Sequence, residues 1–144
     1  MLLVTVGLSQ QPNKINATID PEKGTIEVSQ ILTFTNHTNK ALDCLYLYDW
    51  NHAYSDTSTH LSKKLSEEFY FKFERSRSNE KGKTSIHQVL SDQKPLQWHR
   101  LEKKIDILVV DLIQPIFPGV SQDIFISYTL QLPSFSFTGY GIDT

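Results

Sequence analysis

Asp49, His52, Asp56 and His60 fall in one short stretch, LYLYDWNHAYSDTSTH, from Leu45 to His60. Carboxylate and imidazole groups gathered in space can hold zinc, or move a proton as a general acid and base. The rest of the chain gives that chemistry little support. The five histidines are His37, His52, His60, His87 and His99. No two stand four residues apart on a predicted helix, and none belongs to an H-E-x-x-H pattern. Glu67 and Glu68 are chain neighbours on a predicted helix, so their carboxylates diverge and cannot flank a substrate as a working pair does. No G-x-S-x-G elbow is present, and the six glycines are spread singly among turns, which excludes a phosphate-cradling loop. A small hydrolase built on Asp49, His52 and Asp56 is the one enzymatic alternative, and this chain by itself does not read as catalytic.

The same stretch is dense in aromatics. Tyr46, Tyr48, Trp50 and Tyr54, with Tyr140 near the end of the chain, form the candidate interaction surface. Rings with one polar edge can receive a sugar or a peptide. Strand alternation would equally bury some of them, with Trp50 plugging one end of the fold. A free-standing binding module for glycan or peptide is therefore the alternative function.

Charge argues against nucleic acid as a partner. The formal net charge is -2, and the densest basic group, Lys72, Arg75, Arg77, Lys81 and Lys83, is interleaved with Glu74 and Glu80. The single cysteine, Cys44, excludes an internal disulfide and reads as a small core residue. Asn16-Ala17-Thr18 and Asn36-His37-Thr38 match the glycosylation acceptor pattern.

The elements that must position these residues are mainly strands, and a length of 144 residues fits one domain. KINATID and TIEVSQILTFTN are joined by the Pro-then-Gly turn PEKG, and Ile26, Val28, Leu32 and Phe34 share one face. LDCLYLY is apolar on both faces and is expected to be a central strand. Leu61, Leu65, Phe69 and Phe73 recur every four residues, predicting an amphipathic helix from Thr59 to Phe73 with an N-cap within DTSTH. Strands return in TSIHQVL, LQWHRL, IDILVVDL and DIFISYTLQL, with a turn at SDQKP and a break at QPIFPGVSQ. The fold class is all-β: an antiparallel β-sandwich of about seven or more strands with one inserted amphipathic helix. Residues 1–12 read as a leader remnant or disordered stretch, 13–133 as the sandwich, and 134–144 as the start of a linker. The apolar residues 1–9 lack a basic flank but have the character of an export-signal core, pointing to the bacterial periplasm or cell envelope.

Taken in order, three segments resemble the amino-terminal β-domain of aminopeptidase N-like zinc metallopeptidases, the gluzincins. The first is G-x-I-x-V-x-x-x-L-x-F-x-N-x-T, from Gly24 to Thr38. The second is the strand and corner LYLYDWNHAYS, from Leu45 to Ser55, which in the family ends in W-x-N-A-Y-S; here His52 precedes Ala53. The third runs from Leu112 through Pro115, Pro118, Gly119 and Ser121 to Tyr128, with FTGYG following at 137–141. The resemblance covers about residues 13 to 144. It implies a non-catalytic amino-terminal domain that packs on the catalytic domain of the same polypeptide and walls the cleft receiving peptide substrates. It also implies zinc in a full-length parent and none in this chain, because the family's H-E-x-x-H, its downstream Glu and its G-A-M-E-N-type stretch do not occur here. An isolated copy is expected to expose a partly apolar docking face and to self-associate through it.

Overall fold

A computed structural model describes residues 13–143, and residues 1–12, where the leader is expected, lie outside that range. Eight strands and one helix follow in chain order: β1 (Asn13–Asp20), β2 (Thr25–Thr35), β3 (Leu42–Tyr48), α1 (His60–Glu67), β4 (Lys83–Ser91), β5 (Lys94–Pro95), β6 (Trp98–Leu101), β7 (Lys104–Ile116) and β8 (Ser121–Gln131). They form a five-stranded sheet ordered β1-β2-β8-β4-β5 and a three-stranded sheet ordered β3-β7-β6, with every pairing antiparallel. The expected sandwich is present.

Alternation builds the main core. Leu45 on β3, Leu108 and Val110 on β7, Val89 on β4, and Ile124 and Ile126 on β8 meet between the sheets. A second core caps one end, where Tyr54, Phe73 and Phe137 pack together with Leu61 and Leu65 of α1 against them. No helix among the described residues is long and apolar enough to cross a membrane.

Two elements depart from expectation. β3 is an edge strand and not a central one. Its two apolar faces arise because Leu45 and Leu47 turn toward the other sheet while Tyr46 and Tyr48 remain exposed. The central strand is β7, buried on both faces from Ile107 to Val110. Helix α1 starts as predicted, with Thr59 capping the Ser62 N–H at 3.3 Å, but stops at Glu67 instead of reaching Phe73. Phe69 follows the helix at φ 60, the left-handed cap position that usually takes Gly, and its side chain points to solvent. Phe73 reaches the second core from a turn, so the four-residue spacing survives without the helix. The segment from Ser134 onward folds back so that Ser134 bridges Ile142 and Phe137 is buried.

Two of the quoted motifs meet in space. The Asn36 N–H donates to Val120 O at 3.0 Å, and the Gly119 N–H donates to Asn36 O at 2.8 Å. Gly119 has φ 76, a conformation that glycine adopts without steric cost. The Asn36 side chain is fully buried and donates to Lys40 O and Ile116 O, so this acceptor pattern serves as a turn lock with no free amide nitrogen.

Candidate functional site

The corner after β3 is held by a polar network drawn from four parts of the chain. The Asp49 N–H donates to Asp106 O at 2.7 Å, fixing the end of β3 on β7. The Asp49 carboxylate accepts from Arg100 Nη2 at 2.7 Å, from Thr84 Oγ1 at 2.6 Å and from the His52 N–H at 3.2 Å. Arg100 also donates to Ile105 O at 2.8 Å. The Asp49 and Arg100 side chains are only 12% and 16% exposed, so this is a largely buried, multiply bonded ion pair.

His52 sits in a 3-10 turn at Asn51–Tyr54, and its Nδ1 accepts from the Thr84 N–H at 3.2 Å. That acceptor role needs a bare Nδ1 and places the proton on Nε2. Burial pushes the His52 pKa below its ordinary 6.5, and the nearby Arg100 charge pushes it the same way. Neighbouring Asn51 donates to Gln131 O at 3.1 Å and accepts from the Tyr140 hydroxyl at 3.2 Å. No buried side-chain nitrogen or oxygen among the described residues lacks a hydrogen-bond partner, and Asp56 and His60 lie exposed and apart from this network. No group of three His, Cys, Asp or Glu among the described residues is arranged to hold a metal ion. Of the alternative set Asp49, His52 and Asp56, the first two meet in this network, while Asp56 accepts from the Ser58 N–H instead.

The candidate interaction residues divide. Tyr46, Tyr48 and Trp50 are exposed by 63%, 78% and 58%. Tyr54 is fully buried, stacked edge-on to Phe73 with centroids 6.1 Å apart, and its hydroxyl meets Thr138 Oγ1 at 2.6 Å. Tyr140 is half-buried and tilted against Tyr54. Cys44, expected in the core, is a half-buried free thiol on β3.

Tyr46, Tyr48, Trp50 and Tyr140 all line one cleft of about 430 Å³ between the sheets, at the β3 edge. Its floor is apolar, with Leu32, Leu47, Leu108 and Ile126 among the lining side chains. Tyr128 donates to Gln30 Oε1 at 3.1 Å within it. Burial raises the pKa of both Tyr128 and Tyr140, keeping these phenols protonated as donors. A cleft of this kind can hold an uncharged apolar group against a few directional hydrogen bonds. Arg100, Thr84, Gln30 and Tyr128 complete this region. A charged Arg between apolar Trp98 and Leu101 in a predicted strand was the one available signal for the ion pair.

Comparison with known proteins gives one consistent result. No protein-family model matches the chain, and no curated protein matches by sequence. Solved structures do match. The M1 zinc metallopeptidase from Deinococcus radiodurans aligns at 12% identity with a TM-score of 0.53, over 85% of this chain and 20% of its own. A two-domain M1 zinc metallopeptidase mutant bound to L-arginine gives the same values, and one bound to L-tryptophan aligns at 13% identity with a TM-score of 0.54, over 89% of this chain. The class defined here is thus a sandwich-like all-β domain with the fold found in part of M1 zinc metallopeptidases. The chain spans about a fifth of the length of those enzymes.

Proposed function

We propose that this chain is a non-catalytic, amino-terminal domain of a zinc-dependent, aminopeptidase-like metallopeptidase, packing on the catalytic domain and helping to wall its peptide-binding cleft. The observation that carries the reading is the shared fold over 85–89% of the chain. The contact between the Asn36 turn and the Pro118–Gly119 turn, two segments that carry the family resemblance, supports it. The polar network at Asp49 fits a scaffold, since its groups are spent on one another. Zinc and peptide substrates belong in this reading to a catalytic domain carrying H-E-x-x-H, and no step of that chemistry is assigned to residues 13–143. The apolar residues 1–9 support export as part of the same reading.

Antibodies raised against this chain would be used to isolate the native polypeptide from its source, followed by assay with aminoacyl-arylamide substrates. Peptidase activity on the same polypeptide, abolished by 1,10-phenanthroline and restored by zinc, is the expected result. A native protein that contains this domain and hydrolyses no aminoacyl substrate overturns it.

A further inference from the structure

The two sheets differ in width, five strands against three, and β1 lies at one edge of the wider sheet. Leu32 and Gln30 of β2 line the cleft, so the β1 residues paired beside this row, Ile15 opposite Gln30 and Ile19 opposite Ile26, face inward too. Inward-facing apolar residues should be covered, yet Ile15 and Ile19 are 57% and 65% exposed. The three-stranded sheet ends at β3 and does not reach over β1.

The free edge of β3 lines the cleft together with Gln30 and Leu32 of β2, the strand that pairs with β1. Because the Asp49 N–H points to β7, alternation turns the N–H groups of Leu47 and Leu45 the same way. The N–H and C=O groups of Tyr46 and Tyr48 then face the open edge. Edge-facing backbone groups, an apolar floor and exposed inward-facing isoleucines occur together.

We propose that this groove is a strand-addition site, in which an extended segment of another polypeptide pairs with β3 at Tyr46 and Tyr48 and lays alternate apolar side chains over Ile15 and Ile19. Charge selects the chemistry of the occupant. Asp49, the one charged residue among the described residues that line the cleft, is neutralised by Arg100, so the inward side chains of the guest must be uncharged. Shape selects its form: the cleft is lined by β2 and β3, β1 lies beyond β2 on that side, and a second folded copy brought edge to edge at β3 would bring its own β1 against this one. Main-chain bonds supply affinity and the alternate side chains supply selectivity, as in other strand-addition sites. The inference goes beyond the metallopeptidase reading and stands whether or not a catalytic domain is present.

The probe is the peptide acetyl-Lys-Thr-Val-Thr-Val-Thr-Val-Thr-Lys-amide, titrated into the full chain. Binding is followed by Trp emission and by hydrogen exchange at individual amides. Protection of the Tyr46 and Tyr48 amides is expected to rise at least about tenfold on binding. Tyr48→Pro removes an edge N–H that makes no ladder bond, so the fold survives while the peptide binds about tenfold more weakly. Tyr48→Thr keeps the N–H and should bind far better than the Pro variant. Ile19→Lys, which places a charge on the apolar strip that the peptide would cover, should also weaken binding. Equal binding by the Pro and Thr variants overturns the proposal, as does no binding by the full chain. Tyr46 and Tyr48 amides already protected without peptide would overturn it too, because the edge would then be occupied by this chain itself or by a second copy.

Discussion

The ion pair at the β3 corner gives the sharpest test of how this domain is held together. Asp49→Asn keeps the side-chain shape and can still accept from Thr84 Oγ1 and the His52 N–H. It removes the negative charge 2.7 Å from Arg100 Nη2 and leaves a guanidinium only 16% exposed without its counter-charge. Breaking a fully buried pair from one side costs about 3–5 kcal/mol. The residual exposure of both side chains screens part of that, which places the expected loss at about 2–3 kcal/mol. With a urea slope of about 2 kcal/mol/M, the unfolding midpoint should fall by about 1–1.5 M. Urea titration followed by Trp fluorescence measures it directly. Adding Arg100→Met removes the stranded charge and should recover at least about 1 kcal/mol of the loss, because coupled neighbours are not additive. A midpoint shift below about 0.3 M, or strictly additive losses, would show that Arg100 is solvated and that the pair does not organise the corner.

Three further outcomes follow from single contacts. His52 has a folded-state pKa below its ordinary 6.5, so the unfolded chain binds the extra proton first and stability is lost as pH falls below about 6.5. His52→Gln should flatten that limb in thermal unfolding scans between pH 7.5 and 5.5, buffer values being about these. Phe69 occupies a left-handed conformation with its ring in solvent, so Phe69→Gly should raise stability by about 0.5–1 kcal/mol, and a lowered melting temperature would contradict the helix end described. Gly141 has φ 131, and a side chain there would collide with Pro133 O. Gly141→Ala should detach the tail, read as faster amide exchange at Phe137 and Tyr140 while the sheets stay protected.

Much of this protein was legible along the chain. Period-two alternation in TIEVSQILTFT and DIFISYTLQ located β2 and β8, since a strand with one face in a core must alternate. Thr59 announced the start of α1 for a local reason: its hydroxyl satisfies an N–H that the helix leaves open. The turns at Gly24, Gly119 and Asp92–Gln93 adopt positive φ at punctuated positions, where local sterics decide.

What the sequence left open depends on neighbours distant in the chain. LDCLYLY looks central because both faces carry large apolar residues, but a strand becomes central only when a partner lies on each side, and β3 has β7 alone. The same local ambiguity hid the fate of Tyr54 and Tyr48, which are close in sequence and opposite in exposure. Tyr54 is drawn inward by Phe73 and Phe137, contributed by a turn and by the returning tail. The helix period continued past Glu67 because Phe69 and Phe73 keep its spacing, and only the packed second core shows that a turn carries Phe73 inside. The Asp49 network joins residues from β4, β6, β7 and the corner, so no window of sequence contains it. Local periodicity thus set the elements and much of the core face. Strand order, the open edge of β3 and the spending of Asp49 and His52 on structure were set by long-range pairing, which exists only once the chain has folded.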